Sequence, residues 1–315
     1  MQISDVSKHA GSIRSNIEKV IVGKSNELNI ILSSLFAGGH VLLDDVPGTG
    51  KTMLAKALAR SFDCDFGRVQ FTPDLLPSDL TGINFYSPKT GDFNFRKGAL
   101  FTNILLADEI NRATPRTQSG LLESMEERQI TVDGHTYKLP APYFVIATQN
   151  PVETQGTYPL PEAQLDRFLV RLSLGYPTGN ETVQIIKRFI NTIPLEELHP
   201  ICDISTLTKI QAAVKSVFIH DDLLAYMVEL TEKTRAADSV ILGVSTRGVI
   251  ALASLCRAYS ALQGREFVTP DDVQLLIPYV YAHRIIHRSS AVGYPLNLLR
   301  DIISDTKTPS ENYSF

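Results

Sequence analysis

The chain has 315 residues, 43% of them hydrophobic and 20% charged, with 30 Lys and Arg against 34 Asp and Glu for a formal net charge of −4. That balance excludes a disordered polyelectrolyte and gives no general attraction for nucleic acid. The length exceeds one average core, so a large α/β domain with a smaller second domain is expected. Cys64, Cys202 and Cys256 are widely spaced and form no CxxC, which points to buried free thiols in a reducing compartment. Lys8, Arg14, Glu18 and Lys19 interrupt the first twenty residues, and Ser33, Ser34, Gly38, Gly39 and His40 interrupt the most apolar stretch. Neither a signal peptide nor a membrane span is expected, and a cytoplasmic protein follows.

In chain order, Val6, Ala10, Ile13, Ile17 and Val20 recur at helical spacing, as do Leu28, Ile31, Leu32 and Leu35. Gly38-Gly39 closes the second helix, and Val41-Leu42-Leu43 suits a buried parallel strand. A glycine-rich segment comes next, then a helix over Met53–Arg60. Further strands are expected at Val69–Phe71, Ile104–Ala107, Phe144–Ala147 and Phe168–Leu172, with a helix at Thr117–Glu127, which predicts a mostly parallel sheet covered by helices. Beyond Pro177 only helical periodicity remains, in Thr182–Ile190, Ser205–Val217, Asp221–Thr234, Arg247–Leu262 and Asp271–Ala282. The boundary is placed at residues 1–177 and 178–315.

The segment Pro47-Gly48-Thr49-Gly50-Lys51-Thr52 has the makings of a phosphate-binding loop. Backbone N–H groups of such a loop cradle phosphates, the lysine neutralises them, and the hydroxyl holds Mg2+. The helix that follows offers its positive N-terminus through residues such as Met53. Asp45 stands where the motif has its first glycine; a hydrogen-bonded turn residue would explain it as well. A GK[ST] triplet alone is weak, but here a strand precedes it and a helix follows.

The strand ending at Ala107 leads into Asp108-Glu109. Asp108 could hold the metal through water and Glu109 could polarise the attacking water. A solvated acidic turn is the plainer alternative, and the presence of Lys51 and Thr52 in the chain favours the functional one. The strand at Tyr143–Thr148 ends in Gln149-Asn150-Pro151, where Asn150 could orient water, although Asn before Pro is also an ordinary turn signal.

Four stretches in this order, VLLDDVPGTGKT at 41–52, QFTPDLLPSDLTG at 70–82, LLADEINRA at 105–113 and YPLPEAQLDRF at 158–168, resemble an AAA+ ATPase of the MoxR family. The resemblance covers nearly the whole chain and implies a five-stranded AAA+ core followed by a small all-α lid. It implies Lys51 and Thr52 as the Walker A pair, Asp108 and Glu109 as Walker B, Asn150 as sensor 1, and Arg167 as an arginine finger that reaches a neighbouring subunit. Arg247, opening a lid helix in Ser245-Thr246-Arg247, resembles sensor 2, through which the lid would feel the γ-phosphate; the family more often has Pro at the middle position. Ile21-Val22-Gly23 resembles the segment that packs on adenine. Residues 71–101 and the hairpin at 129–139, turning at Asp133-Gly134, resemble the helix-2 insert and the pre-sensor-1 hairpin.

By the same likeness the chain would bind ATP and Mg2+, assemble into a hexameric ring, and act like a chaperone in maturing other proteins or inserting cofactors. A frequent partner carries a von Willebrand factor A domain, whereas the client itself is not specified. A nucleic-acid or chelatase-type motor is one rival, disfavoured because the 129–139 hairpin offers only His135 and Lys138 as basic groups. A non-hydrolysing, ATP-gated scaffold is the other, and it would need neither Glu109 nor Arg167.

Overall fold

Short apolar runs between helical segments can bury both faces only as interior strands of a parallel sheet. A computed structural model describes residues 1–89, 91–151, 156–190, 192–288 and 294–309. Helices α1 (Ile3–Ile17) and α2 (Ser25–Phe36) lead to strand β1 (Val41–Asp44), helix α3 (Lys51–Ser61) and strand β2 (Phe66–Gln70). A short helix α4 (Pro77–Thr81) and the hairpin β3 (Gly82–Ser87) and β4 (Asp92–Lys97) make up the first insert. Strand β5 (Ile104–Asp108) passes through a 3-10 turn at Ile110–Arg112 into α5 (Pro115–Glu127). The second hairpin, β6 (Gln129–Val132) and β7 (His135–Lys138), precedes β8 (Phe144–Gln149), α6 (Glu162–Leu165) and β9 (Val170–Leu172).

The five long-range strands form one parallel sheet in the order β2-β5-β8-β1-β9. Alternate residues divide cleanly between its faces. Val41, Leu43, Ile104, Leu106, Phe144 and Ile146 point into one apolar cluster, and Leu42, Leu105, Ala107, Val145 and Ala147 into another. The first is sealed by α1, α2 and α3 and runs on into the C-terminal helices. The second lies under α5 and the two hairpins.

The C-terminal part holds α7 (Gly179–Phe189), α8 (Ile204–Val214), α9 (Asp221–Ala236), β10 (Val240–Leu242), α10 (Thr246–Leu262), α11 (Pro270–Tyr281), β11 (Ile286–His287) and α12 (Tyr294–Ser304). An all-helical lid was the expectation; β10 and β11 add a two-stranded antiparallel ribbon to it. Strands of three and two residues are too short to leave a period in the sequence. Residues 310–315, assigned to this part by sequence, lie outside the described residues. Cys256 is buried, but Cys64 and Cys202 are only half-buried, and all three are free thiols. Burial, with nearby aspartates adding to it, pushes Cys64 and Cys202 up to about 12. Among the described residues no helix is long and apolar enough to cross a membrane.

Two buried histidines tie the layers together. His40 Nδ1 accepts the Val145 N–H at 3.0 Å, so its proton sits on Nε2, 3.1 Å from the Met125 carbonyl at the end of α5. Burial lowers its pKa to about 4. His283 is also held well below its usual value, by burial and then by the adjacent Arg284. Both are neutral in the folded chain, so the unfolded chain binds more protons once pH drops below the ordinary histidine value. Stability present above pH ~6.5 should therefore decline as pH falls toward ~4, by up to about 3 kcal/mol for His40 alone. Urea unfolding at stepped pH should show this decline, and His40→Gln should remove the part of it that His40 contributes.

Candidate functional site

The parallel direction of the strands delivers the C-terminal ends of β1, β5 and β8 to one edge of the sheet, where ligands bind in open α/β folds. Asp44 stands abreast of Gln149, and Ala107 abreast of Ala147. With strands about 4.8 Å apart, the glycine loop, Asp108-Glu109 and Asn150 converge at that edge.

The loop leaves β1 through Pro47, Gly48 and Thr49 and enters α3 at Gly50. Gly48 and Gly50 have φ of +87° and +89°, and a Cβ on Gly48 would meet nothing within 4 Å. Backbone conformation, not space, requires glycine there. Lys51 Nζ donates to the carbonyls of Asp45 at 2.9 Å and Val46 at 3.3 Å. The ammonium thus lies folded over the loop, with Thr52 and Met53 in the first turn of α3 behind it. The unpaired N–H groups of that turn are an anion-binding surface.

Asp45 explains its own departure from the glycine motif. It is buried, and its carboxylate accepts from Ser173 Oγ at 2.6 Å, Leu174 N at 2.8 Å and Gly175 N at 3.0 Å. Glycine there would leave these donors without their acceptor. The loop entrance is thereby fixed to the chain leaving β9.

Asp108 and Glu109 are held by side chains that the sequence reading did not single out. Thr148 Oγ1 donates to Asp108 Oδ1 at 2.7 Å and accepts the Glu109 N–H at 2.8 Å. Arg68 Nη2 donates to Asp108 Oδ2 at 2.8 Å, while Gln70 Nε2 and Arg112 Nη1 donate to Glu109 Oε2 at 2.7 and 3.0 Å. Arg68 also donates to Gln70 Oε1 at 3.1 Å. Glu109 itself has φ of +56°, a left-handed conformation rare outside glycine, which turns the chain sharply after β5. Such strain in a residue aimed at the loop edge is characteristic of functional positions.

Asn150 is buried. It lines a cavity of about 290 Å3 with Asp44, Asn111, Gln149 and Arg171. Asn111 Oδ1 is buried there with no hydrogen-bond partner among the described residues. At the other flank, Ile21 Cδ1 lies 3.8 Å from where a Gly50 Cβ would sit, so the Ile21-Val22-Gly23 turn borders the loop. Gly23 has φ of +73°, and a Cβ on it would fall 1.8 Å from Glu181 Oε1. Close approach of α7 is a packing reason for that glycine, independent of any base.

Arg167 and Arg247 are elsewhere. Leu169 N donates to the His40 carbonyl at 2.8 Å, so Arg167 lies at the edge where β1 and β9 begin, opposite the loop. Arg247 joins it: Arg167 Nε donates to Glu126 Oε2 at 3.0 Å, and Arg247 Nη2 to Glu126 Oε1. The lid arginine is therefore brought to the other arginine and not to the loop of its own chain. The start of α10 lies beside the segment that precedes β9, where Ser245 Oγ donates to Asp166 Oδ2 at 3.3 Å.

Comparison with known proteins agrees with this architecture. Residues 40–170 match the model of the ATPase family associated with various cellular activities, and residues 232–299 match an AAA lid domain. The chaperone MoxR1 of Mycobacterium tuberculosis is 38% identical over 86% of this chain and 74% of its own, and the protein MoxR of Paracoccus denitrificans is 32% identical over 90% of each. The chain belongs to the MoxR family of AAA+ ATPases. An uncharacterized protein of Bacillus subtilis, YeaC, is 49% identical over 95% of this chain and 94% of its own. A crystal structure from Cytophaga hutchinsonii, described there as a proposed ATPase, superposes with a TM-score of 0.90 at 36% identity, covering 98% of this chain and 97% of that one.

Membership of the MoxR family implies nucleotide binding, typically with Mg2+, and the residues here fit both. The two left-handed glycines, the helix N-terminus and the displaceable Lys51 ammonium suit a polyphosphate. The described residues contain no group of three His, Cys, Asp or Glu side chains able to hold a metal unaided, so Thr52, Asp108 and phosphate oxygens would share it. Asp108 would first release Arg68.

Thr148 is the hinge of this arrangement, since one hydroxyl serves both carboxylate positions. Thr148→Val should lower stability by about 1–3 kcal/mol by leaving a buried oxygen and N–H unpaired, and should weaken Mg-dependent nucleotide affinity. Thermal melts with and without nucleotide would measure both effects.

Proposed function

We propose that this chain hydrolyses ATP at a site completed by a second copy of itself, and that the cycle moves its helical part to remodel a partner protein. The observation that supports a shared site is the placement of Arg167 and Arg247 together on the edge opposite the glycine loop. No single chain can bring both edges to one phosphate, whereas a head-to-tail ring can.

Within such a site Lys51 would leave the carbonyls of Asp45 and Val46 for the β- and γ-phosphates. Glu109, freed from Gln70, would take a proton from water as the water oxygen bonds to the γ-phosphorus, and the bond to the leaving ADP oxygen would break. Asn150 would fix that water by a hydrogen bond. Bound Mg2+ supplies charge neutralisation across the phosphates. The neighbour's Arg167 and Arg247 would stabilise charge on the transferred group, a contribution of ~10³–10⁵ in rate where such arginines are known. Departure of phosphate would release both arginines, one on the core and one on α10, and so change how the lid sits between copies.

The name chaperone carried by the mycobacterial relative supports a remodelling role. The strongest alternative, an ATP-gated scaffold without turnover, is tested by Glu109→Gln. That variant should bind a fluorescent ATP analogue normally while releasing phosphate at least ~10²-fold more slowly; equal phosphate release from both proteins would remove Glu109 from the chemistry. The shared site is tested by mixing. Lys51→Ala and Arg167→Ala should each be inactive alone, and random co-assembly should restore roughly a quarter of the sites. Silence in the mixture, with both variants folded, would count against completion in trans.

A further inference from the structure

A cleft of about 240 Å3 opens between the end of α5, the segment before β9 and the start of α10. Four guanidiniums, from Arg128, Arg167, Arg247 and Arg284, line it against the two carboxylates of Glu126 and Asp166. Arg284 is buried and committed to Asp166 at 2.6 Å, and Arg128 donates to the Gly38 carbonyl at 2.7 Å. Glu126 therefore faces two arginines alone, giving one oxygen to each. Its carboxylate bridges them as two oxygens of a phosphoryl group would. The neutral His40 adds no charge to the cleft, which is left with a cationic surplus.

We propose that Glu126 is an internal stand-in for phosphate, holding Arg167 and Arg247 paired until the terminal phosphate of a neighbouring copy's nucleotide displaces it. The proposal rests on the shared site proposed above. Three features fit displacement. The side chains of Glu126 and Arg247 are 36% and 49% exposed, so water screens the pairing and an incoming anion can reach it. Glu126 lies in the last turn of α5, where the helix end is negative and an acid is disfavoured unless cations cover it. The backbone beneath it is fixed, because the Met125 carbonyl is held by His40 and Arg128 leaves the helix in a left-handed conformation with φ of +52°. The carboxylate consequently cannot travel with the arginines when they extend toward another copy. A phosphate bearing more negative charge then takes over the same two donors.

The test is phosphate release over a range of subunit concentrations at saturating ATP and Mg2+, for the unmodified chain and for Glu126→Gln. An amide of the same shape removes the competing charge. The concentration giving half-maximal turnover should fall about threefold or more, with the plateau rate retained. An unchanged or higher half-maximal concentration would overturn the proposal, as would a lowered plateau, which would make Glu126 a group that the assembled site needs. Glu126→Asp keeps the charge on an arm too short to span both arginines and should shift the midpoint in the same direction by less. It decides the question equally if the glutamine variant does not fold. Failure here with successful complementation between Lys51→Ala and Arg167→Ala removes only the stand-in; failure of complementation removes the shared site itself.

Discussion

All five strands of the central sheet run in one direction, and that constraint distributes the chemistry. Whatever follows β1, β5 and β8 must emerge at one edge, and whatever precedes β9 must lie at the other. The glycine loop, Asp108, Glu109 and Asn150 belong to the first group, Arg167 to the second. The start of α10, beside the segment that precedes β9, then adds Arg247 to the arginine edge. No loop rearrangement within a single chain reverses this, because β5, β8 and β1, which span the two edges, are almost wholly buried and paired on both sides.

The five charged groups named at these two edges already have partners within the chain. Asp108 is bonded to Arg68 and Thr148, Glu109 to Gln70 and Arg112, Lys51 to two loop carbonyls, and Arg167 and Arg247 to Glu126. Binding of a polyphosphate is on this account an exchange of partners. The energetic consequence is that affinity reflects a difference between two sets of charge-assisted bonds, each strong by itself. Substitutions that remove an internal partner can therefore strengthen binding as readily as weaken it.

The loop, its flanking strand and helix, and the carboxylates after β5 were legible in the sequence because contiguous residues define them. Arg68 and Gln70 were not, although both project from one face of β2; only the register of β2 against β5 brings them to Asp108 and Glu109. Thr148 read as the end of a strand, and its hydroxyl acquires meaning only beside β5. Glu126 is one of three acids in α5, beside Glu123 and Glu127, and nothing in its local sequence sets it apart. The pairing of Arg167 with Arg247 joins residues eighty positions apart through a third, which no local period can encode. The β10–β11 ribbon escaped for a different reason, being shorter than any alternation that could announce it.

Asp45 is the feature whose consequence reaches furthest along the chain. By taking three donors from Ser173, Leu174 and Gly175, it couples the loop entrance to the exit of β9, and hence to the strand that begins beside Arg167. A glycine in its place would remove that link. With the aspartate, β9, a strand of three residues, links the loop entrance to the edge that would face another copy in the proposed ring. Around a closed circle of such copies each would be both a reporter of its own nucleotide and a listener to the next, so firing order could be set by geometry alone.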